Sequence, residues 1–204
     1  MAIPIFEAFV ESWHPAMTVR LAPLVTLTDD QFFAFCQINP ELRIERTAEG
    51  ALVLMPPAGA ESSARNAELT RQLANWAQRD GSGLTFDSSA GFTLLDGATR
   101  SPDAAWVARE RWESLAMLER RKFPPLCPDF VAELRSPSDL LAALHAKLEE
   151  YVGNGARLGW LLDLERRTVH VYRPGQAVES LVDIDELAGD PVLPGFILDL
   201  RSIW

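Results

Sequence analysis

The sequence predicts a mixed α/β fold, a central sheet flanked by helices. Segments with a helical apolar period interleave with short β segments bounded by turn residues. Along the chain they run helix, several strands, helix, strands, an order that places helices against a sheet. With 204 residues, 48% apolar and 24% charged, the chain is long enough for one domain with a sizeable core.

Residues 1–24 hold Pro4, Pro15 and Pro23 without a clear period and read as an N-terminal extension to a single domain over 25–204. In "TLTDDQFFAFCQ", a capping Thr28 or Asp29 precedes Phe32, Phe33, Phe35 and Cys36, which predicts a short helix. "ELRIERTAEGALVLMPP" reads as two strands around Ala48-Glu49-Gly50, ended by Pro56-Pro57. "AESSARNAELTRQLANWAQRDG" sets Leu69, Leu73 and Trp76 on one helical face, with Gly81 past its end. "LTFDSS", "GFTLLDG" and "ATRSPDAAWVA" are short β segments with Asp96-Gly97 as a hairpin turn. A helix over 109–121, a strand over 129–135 and a helix from 138 to 153 follow, then the strands "LGWLLDL" and "TVHVYRPG" and a turn-rich acidic tail.

The net charge of −10 argues against a scaffold that coats nucleic acid nonspecifically, because phosphate binding needs Lys and Arg. It leaves room for an enzyme that meets DNA through a metal and a local patch. The basic residues Arg100, Arg109, Arg111, Arg120, Arg121 and Lys122 cluster, but Glu110, Glu113 and Glu119 interleave with them as on a solvated helix face. No apolar run approaches the roughly 20 residues of a membrane helix, and the first residues, with Glu7 and Glu11, do not read as a signal peptide. Cys36 and Cys127 lack metal-ligand spacing and read as separate thiols, which suits a cytoplasmic protein.

Three charged residues stand where packing alone would not ask for them. Asp103 follows Pro102 at the start of the strand "AAWV"; it either caps its own turn or serves a site. Glu133 lies within the apolar strand "PDFVAELRSPSD", where a carboxylate needs a partner or a metal. Alternation puts Glu133 and Arg135 on the face of Val131, and Phe130, Ala132 and Leu134 on the other, so an internal Glu133–Arg135 ion pair is one reading. Lys147 lies about 20° outside Leu140, at the edge of the apolar stripe of "LLAALHAKLEEYV", with Glu149 and Glu150 well away. It either snorkels to water or reaches over the preceding strand toward Glu133. Two carboxylates holding Mg²⁺ beside a lysine form a kit for phosphodiester hydrolysis.

"SPDAAWV", "PDFVAELRSPSD", Lys147 and Tyr151 in "KLEEYVGNGARLGWLLD", "VYRPG" and "VLPGF" together resemble the Uma-two family of restriction endonucleases, from about Leu27 to Leu200. That family is placed in the PD-(D/E)XK nuclease superfamily. The resemblance implies a restriction-endonuclease-like core, with Asp103 and Glu133 as ligands of Mg or Mn and DNA as substrate. Where the superfamily usually places a lysine two residues after the acid, this chain has Arg135, which is always protonated and no general base. Lys147 is then the substitute. A further acid on the first core helix is sought at Glu61, about 60° from Trp76, which either approaches the metal or, as a first-turn acid, only complements the helix dipole; Glu45 in "RIERT" is a lesser candidate.

Two functions follow. One is a Mg- or Mn-dependent DNA endonuclease, for which a homodimer would suit cutting both strands. The other is a noncatalytic nucleic-acid- or protein-binding module on a nuclease fold. A metal-free hydrolase is weaker: His14, His145 and His170 have no Ser or Cys arrangement resembling a triad. Trp106 and Trp160 sit in apolar strands and read as core.

Overall fold

The computed structural model describes residues 16–204. Most of the expected N-terminal extension, including His14, lies outside the described residues. Strand β1 (Met17–Val19) precedes α1 (Asp29–Ile38). Thr28 caps α1: its hydroxyl accepts the Gln31 N–H while the Gln31 side chain accepts the Thr28 N–H, a reciprocal capping box. β2 (Arg43–Arg46) and β3 (Leu52–Met55) form an antiparallel hairpin. Helix α2 (Ala60–Asp80) ends where Gly81 turns left-handed at φ +75°.

Strands β4 (Gly83–Asp87), β5 (Phe92–Thr93), β6 (Thr99–Arg100) and β7 (Ala104–Ala108) follow, then two short helices, α3 (Arg109–Ser114) and α4 (Met117–Arg120). Next come β8 (Phe130–Leu134), α5 (Leu141–Gly153), β9 (Leu158–Asp163), β10 (Thr168–Tyr172) and β11 (Glu179–Val182). The hairpin β12 (Glu186–Ala188) and β13 (Ile197–Asp199) and a 3₁₀ turn close the chain.

A six-stranded sheet, ordered β11-β10-β9-β8-β7-β4, carries the core. Its one parallel pair is β8–β9, and α5 makes that crossover. Strand alternation sorts β8 as the sequence predicts. Phe130, Ala132 and Leu134 join Leu69, Leu73 and Trp76 of α2 and Phe196 of the tail. Val131 joins Leu148 and Tyr151 of α5 and Leu161 of β9 on the opposite face. Thus α2 and α5 cover opposite faces. A second sheet, ordered β1-β3-β2-β6-β5, brings Glu45 and Arg100 alongside α5.

Several boundaries differ from the sequence reading. The helix expected over 109–121 breaks at Leu115, which is extended (φ −72°, ψ 143°). The Ser114 hydroxyl donates back to the Arg111 carbonyl, and Glu119 takes the Ala116 N–H to start a new turn. The last helix starts at Leu141, not at 138. Asp139 accepts the Ser136 N–H and donates its own N–H to the Ser136 carbonyl, so the serine-rich link spends itself on a turn. β8 ends at Leu134, which leaves Arg135 beyond the strand. Glu150 is not remote: it pairs with Arg100 at 2.5 Å.

Candidate active site

The antiparallel register of β7 and β8 aligns Ala104 with Ala132, so Asp103, one residue before β7, arrives opposite Glu133. Asp103 does not cap its own turn. Its Oδ2 accepts the Leu134 N–H at 2.9 Å, and its Oδ1 accepts the Asn66 amide of α2 at 3.0 Å. Glu133 is 3% exposed. Its Oε1 takes Lys147 Nζ at 2.8 Å and the Tyr151 hydroxyl at 3.2 Å. Both acids line one cleft of about 710 Å³ between the two sheets and the start of α2, together with Arg43, Ser62, Asn66 and Lys147.

Lys147 does not snorkel. Its amine also meets Glu45 Oε1 at 2.9 Å. Glu45, 3% exposed on β2, is held in turn by Arg100 at 3.1 Å and by the Ser101 N–H at 2.9 Å. Arg100 also grips Glu150 of α5 with two hydrogen bonds, at 2.5 and 3.0 Å.

The electrostatics follow from burial and crowding. Burial pushes the Glu133 carboxyl up to about 8; Lys147 opposes this, while Asp103 and Glu45 add to it. Asp103 is raised by burial against the pull of the Leu134 N–H and Lys147. Burial would raise Glu45 as well, but Lys147 and Arg100 outweigh it and hold its carboxyl below the usual range. Burial disfavours the Lys147 cation, yet Glu133 and Glu45 outweigh it and raise its pKa, so the amine stays charged. Tyr151 is pushed well up by burial and by the two carboxylates, so it stays a neutral donor.

The structure brings together Asp103, Glu133, Lys147 and Glu45, and leaves two other candidates outside. Arg135 makes no ion pair with Glu133: it turns to buried Asp163 at 3.0 Å and to Glu165 at 2.9 Å. Alternation fails as a guide there because the strand has already ended. Glu61 points to solvent, its side chain 78% exposed, and pairs with Arg65 one turn on. α2 instead presents Asn66, which the sequence reading passed over. Its signal was a polar residue three before Leu69 on the buried stripe Leu69-Leu73-Trp76. No residue of the basic stretch 109–122 lines the cleft: it starts beyond the C-terminus of β7, where Arg111 and Arg157 pair with Asp129, and ends at Lys122, which pairs with Asp30 of α1. His145 and His170 bond Tyr172 and Ser180, and neither histidine lines the cleft.

The profile of a family described as "Putative restriction endonuclease", Uma2, matches residues 29–201. The chain belongs to the Uma2 family. A crystal structure of "a putative nuclease belonging to DUF820" from Anabaena variabilis superposes with a TM-score of 0.72 at 20% sequence identity, covering 87% of this chain and 97% of the other. At that identity the likeness speaks for the fold, which is restriction-endonuclease-like. No curated protein matches the chain.

Among the described residues of this Uma2 protein, no three His, Cys, Asp or Glu side chains form a ready metal cage. The donor set is nonetheless of one chemical kind. Asp103 and Glu133 offer carboxylate oxygens into an open cleft, which suits a hard cation that keeps several waters and takes one or two protein carboxylates. Lysine itself is rare in this Uma2 chain, two among nineteen basic residues. That one of the two sits here was a signal the sequence offered. No helix among the described residues is long and apolar enough to cross a membrane.

Proposed function

We propose that this Uma2 protein is a divalent-metal-dependent endonuclease that hydrolyses phosphodiester bonds of DNA. The observation that carries the reading is the meeting of Asp103 and Glu133 from adjacent strands on one cleft, with the Lys147 amine 2.8 Å from Glu133. Asp103 and Glu133 would hold Mg²⁺ or Mn²⁺. When bound, the ion supplies charge to polarise the phosphodiester and acidifies a coordinated water. The chain's own groups do the rest. Asn66 and the Leu134 N–H fix the Asp103 carboxylate, and Tyr151 fixes Glu133 through Oε1. Lys147, held charged, is a donor for the negative charge that develops on the phosphate; in that state it is no general base. A homodimer would suit double-strand cleavage, and the free thiols Cys36 and Cys127 suit a cytoplasmic setting.

The test is single-turnover cleavage of supercoiled plasmid and single-stranded DNA with Mg²⁺, Mn²⁺ or chelator. The wild type should nick only with metal, and Asp103→Ala should lose roughly a hundredfold or more of the rate while keeping its fold. Undiminished cleavage by a clean Asp103→Ala preparation would overturn the assignment. The net charge of −10 favours the alternative, a noncatalytic binding module. DNA binding by a wild type that shows no turnover and no calorimetric metal uptake would establish that reading instead.

A further inference from the structure

Glu45 is the most buried acid of the cluster whose role the two-carboxylate scheme leaves unexplained. It does not line the cleft, yet it touches Lys147, which does. A carboxylate 3% exposed is costly to desolvate without firm partners. Glu45 has three: Lys147 Nζ at 2.9 Å, Arg100 Nη1 at 3.1 Å and the Ser101 N–H at 2.9 Å. Two of these come from the segment that leads into Asp103, so the backbone that sets the metal-facing acid also fixes Glu45.

Lys147 bridges two acids of different kinds. Glu133 faces the cleft and is the one a cation would claim. Glu45 is walled in behind the amine. The Arg100–Glu150 pair, at 2.5 Å, ties the same strand pair to α5 one turn beyond Lys147. Helix and second sheet are thereby clasped at two successive turns.

We infer that Glu45 is a positioning residue: from behind, it holds the Lys147 amine over the cleft when Glu133 is engaged elsewhere, with Arg100 and Glu150 fixing Glu45 and α5 in register. Lys147 then keeps its place whether or not Glu133 is available to it. The inference rests on the endonuclease reading for its catalytic consequence, but the Glu45–Lys147 contact can be tested without it.

Glu45→Gln is the informative variant. It removes charge but keeps size and an acceptor for Ser101. Lys147 retains Glu133 and Arg100 retains Glu150, so no buried cation is stranded and the fold is expected to persist. Two measurements are made. Single-turnover cleavage of Glu45→Gln should fall ~10- to 100-fold with DNA affinity and calorimetric Mn²⁺ affinity within about twofold of wild type, and Glu45→Asp should recover part of the rate. Amine-reactive labelling with saturating Mn²⁺ to engage Glu133, read by peptide mass spectrometry against Lys122 as internal standard, should show Lys147 protected in the wild type and several-fold more reactive in Glu45→Gln.

An unchanged cleavage rate in Glu45→Gln overturns the positioning role. Loss of Mn²⁺ affinity as large as that of Glu133→Gln overturns it too, making Glu45 a metal ligand. If the wild type cleaves nothing, the endonuclease reading falls, and labelling alone decides: unchanged Lys147 reactivity in Glu45→Gln then rejects the contact as a positioning device.

Discussion

Asp163 has no exposed surface and yet carries a charge, held by Arg135 at 3.0 Å and Arg166 at 2.9 Å. Burial raises its carboxyl, but the hydrogen bonds from Arg166 and Arg135 outweigh that and hold it below the usual aspartate range. A depressed acid contributes stability that is present above its unfolded pKa and lost as pH falls through the folded one. Asp163→Asn should therefore cost about 3 kcal/mol near neutral pH, the low end for breaking a buried pair because one of the two arginines is mostly exposed. The gap in melting temperature between wild type and variant should narrow below about pH 4. A gap that is constant down to pH 2 would mean that the charge contributes nothing. Arg135 thus has a structural employer, which accounts for an arginine surviving just past β8 without facing the cleft. Asn66 makes the complementary point: its amide serves Asp103, a partner 37 residues away.

At the level of elements, the site depends on how closely α5 lies on the sheet. Gly159 in β9 permits the approach: a Cβ there would stand 2.8 Å from Leu148 Cδ1 and 3.6 Å from Val131 Cγ2. Leu148 is fully buried and adjacent in sequence to Lys147, so a displaced helix carries the amine with it. Gly159→Ala should cost about 1–3 kcal/mol by overpacking. Leu148→Ala should cost about 2–5 kcal/mol through the cavity it leaves. Combined, they should cost less than their sum by at least about 0.5 kcal/mol, because the truncated leucine makes room for the new methyl. Strict additivity in denaturant midpoints would show that helix and strand do not meet there. The period-2 pattern of β8 and the stripes of α2 and α5 were readable from the chain because alternation and the helical repeat are local. The break between α3 and α4 was not. It depends on a serine back-bond and an acid restarting the turn, both of which compete with a helix that composition alone favours.

For the molecule as a whole, charge is distributed against a broad nucleic-acid surface. The net charge is −10, and the richest basic stretch stays off the cleft, with Arg109, Arg111 and Lys122 paired with acids. The cleft itself offers Arg43 and Lys147 against Asp103, Glu133 and Asp139. On the endonuclease reading, DNA affinity should depend weakly on salt, with a log–log slope of about −2, since each neutralised phosphate adds about 0.9. It should also depend strongly on the divalent ion. A slope near −6 in a filter-binding or anisotropy titration would reveal a basic surface elsewhere and sink this account.

The order of amino acids alone carries the α/β class, the membership implied by "SPDAAWV" and "PDFVAELRSPSD", and the two faces of β8. It also singled out Asp103, Glu133 and Lys147 as charges misplaced for a core, since a charge in an apolar run needs no coordinates to be noticed. Which charges meet is set by packing. Glu45 and Lys147 are brought within 2.9 Å by the packing of one sheet's edge against a helix that follows the other. Arg135 leaves the cleft and Glu61 turns to solvent because a strand ended one residue early and a helix presented a different face. Local periodicity fixes the direction of a side chain within its element. Ion pairs between elements depend on how those elements dock, and no local pattern encodes that.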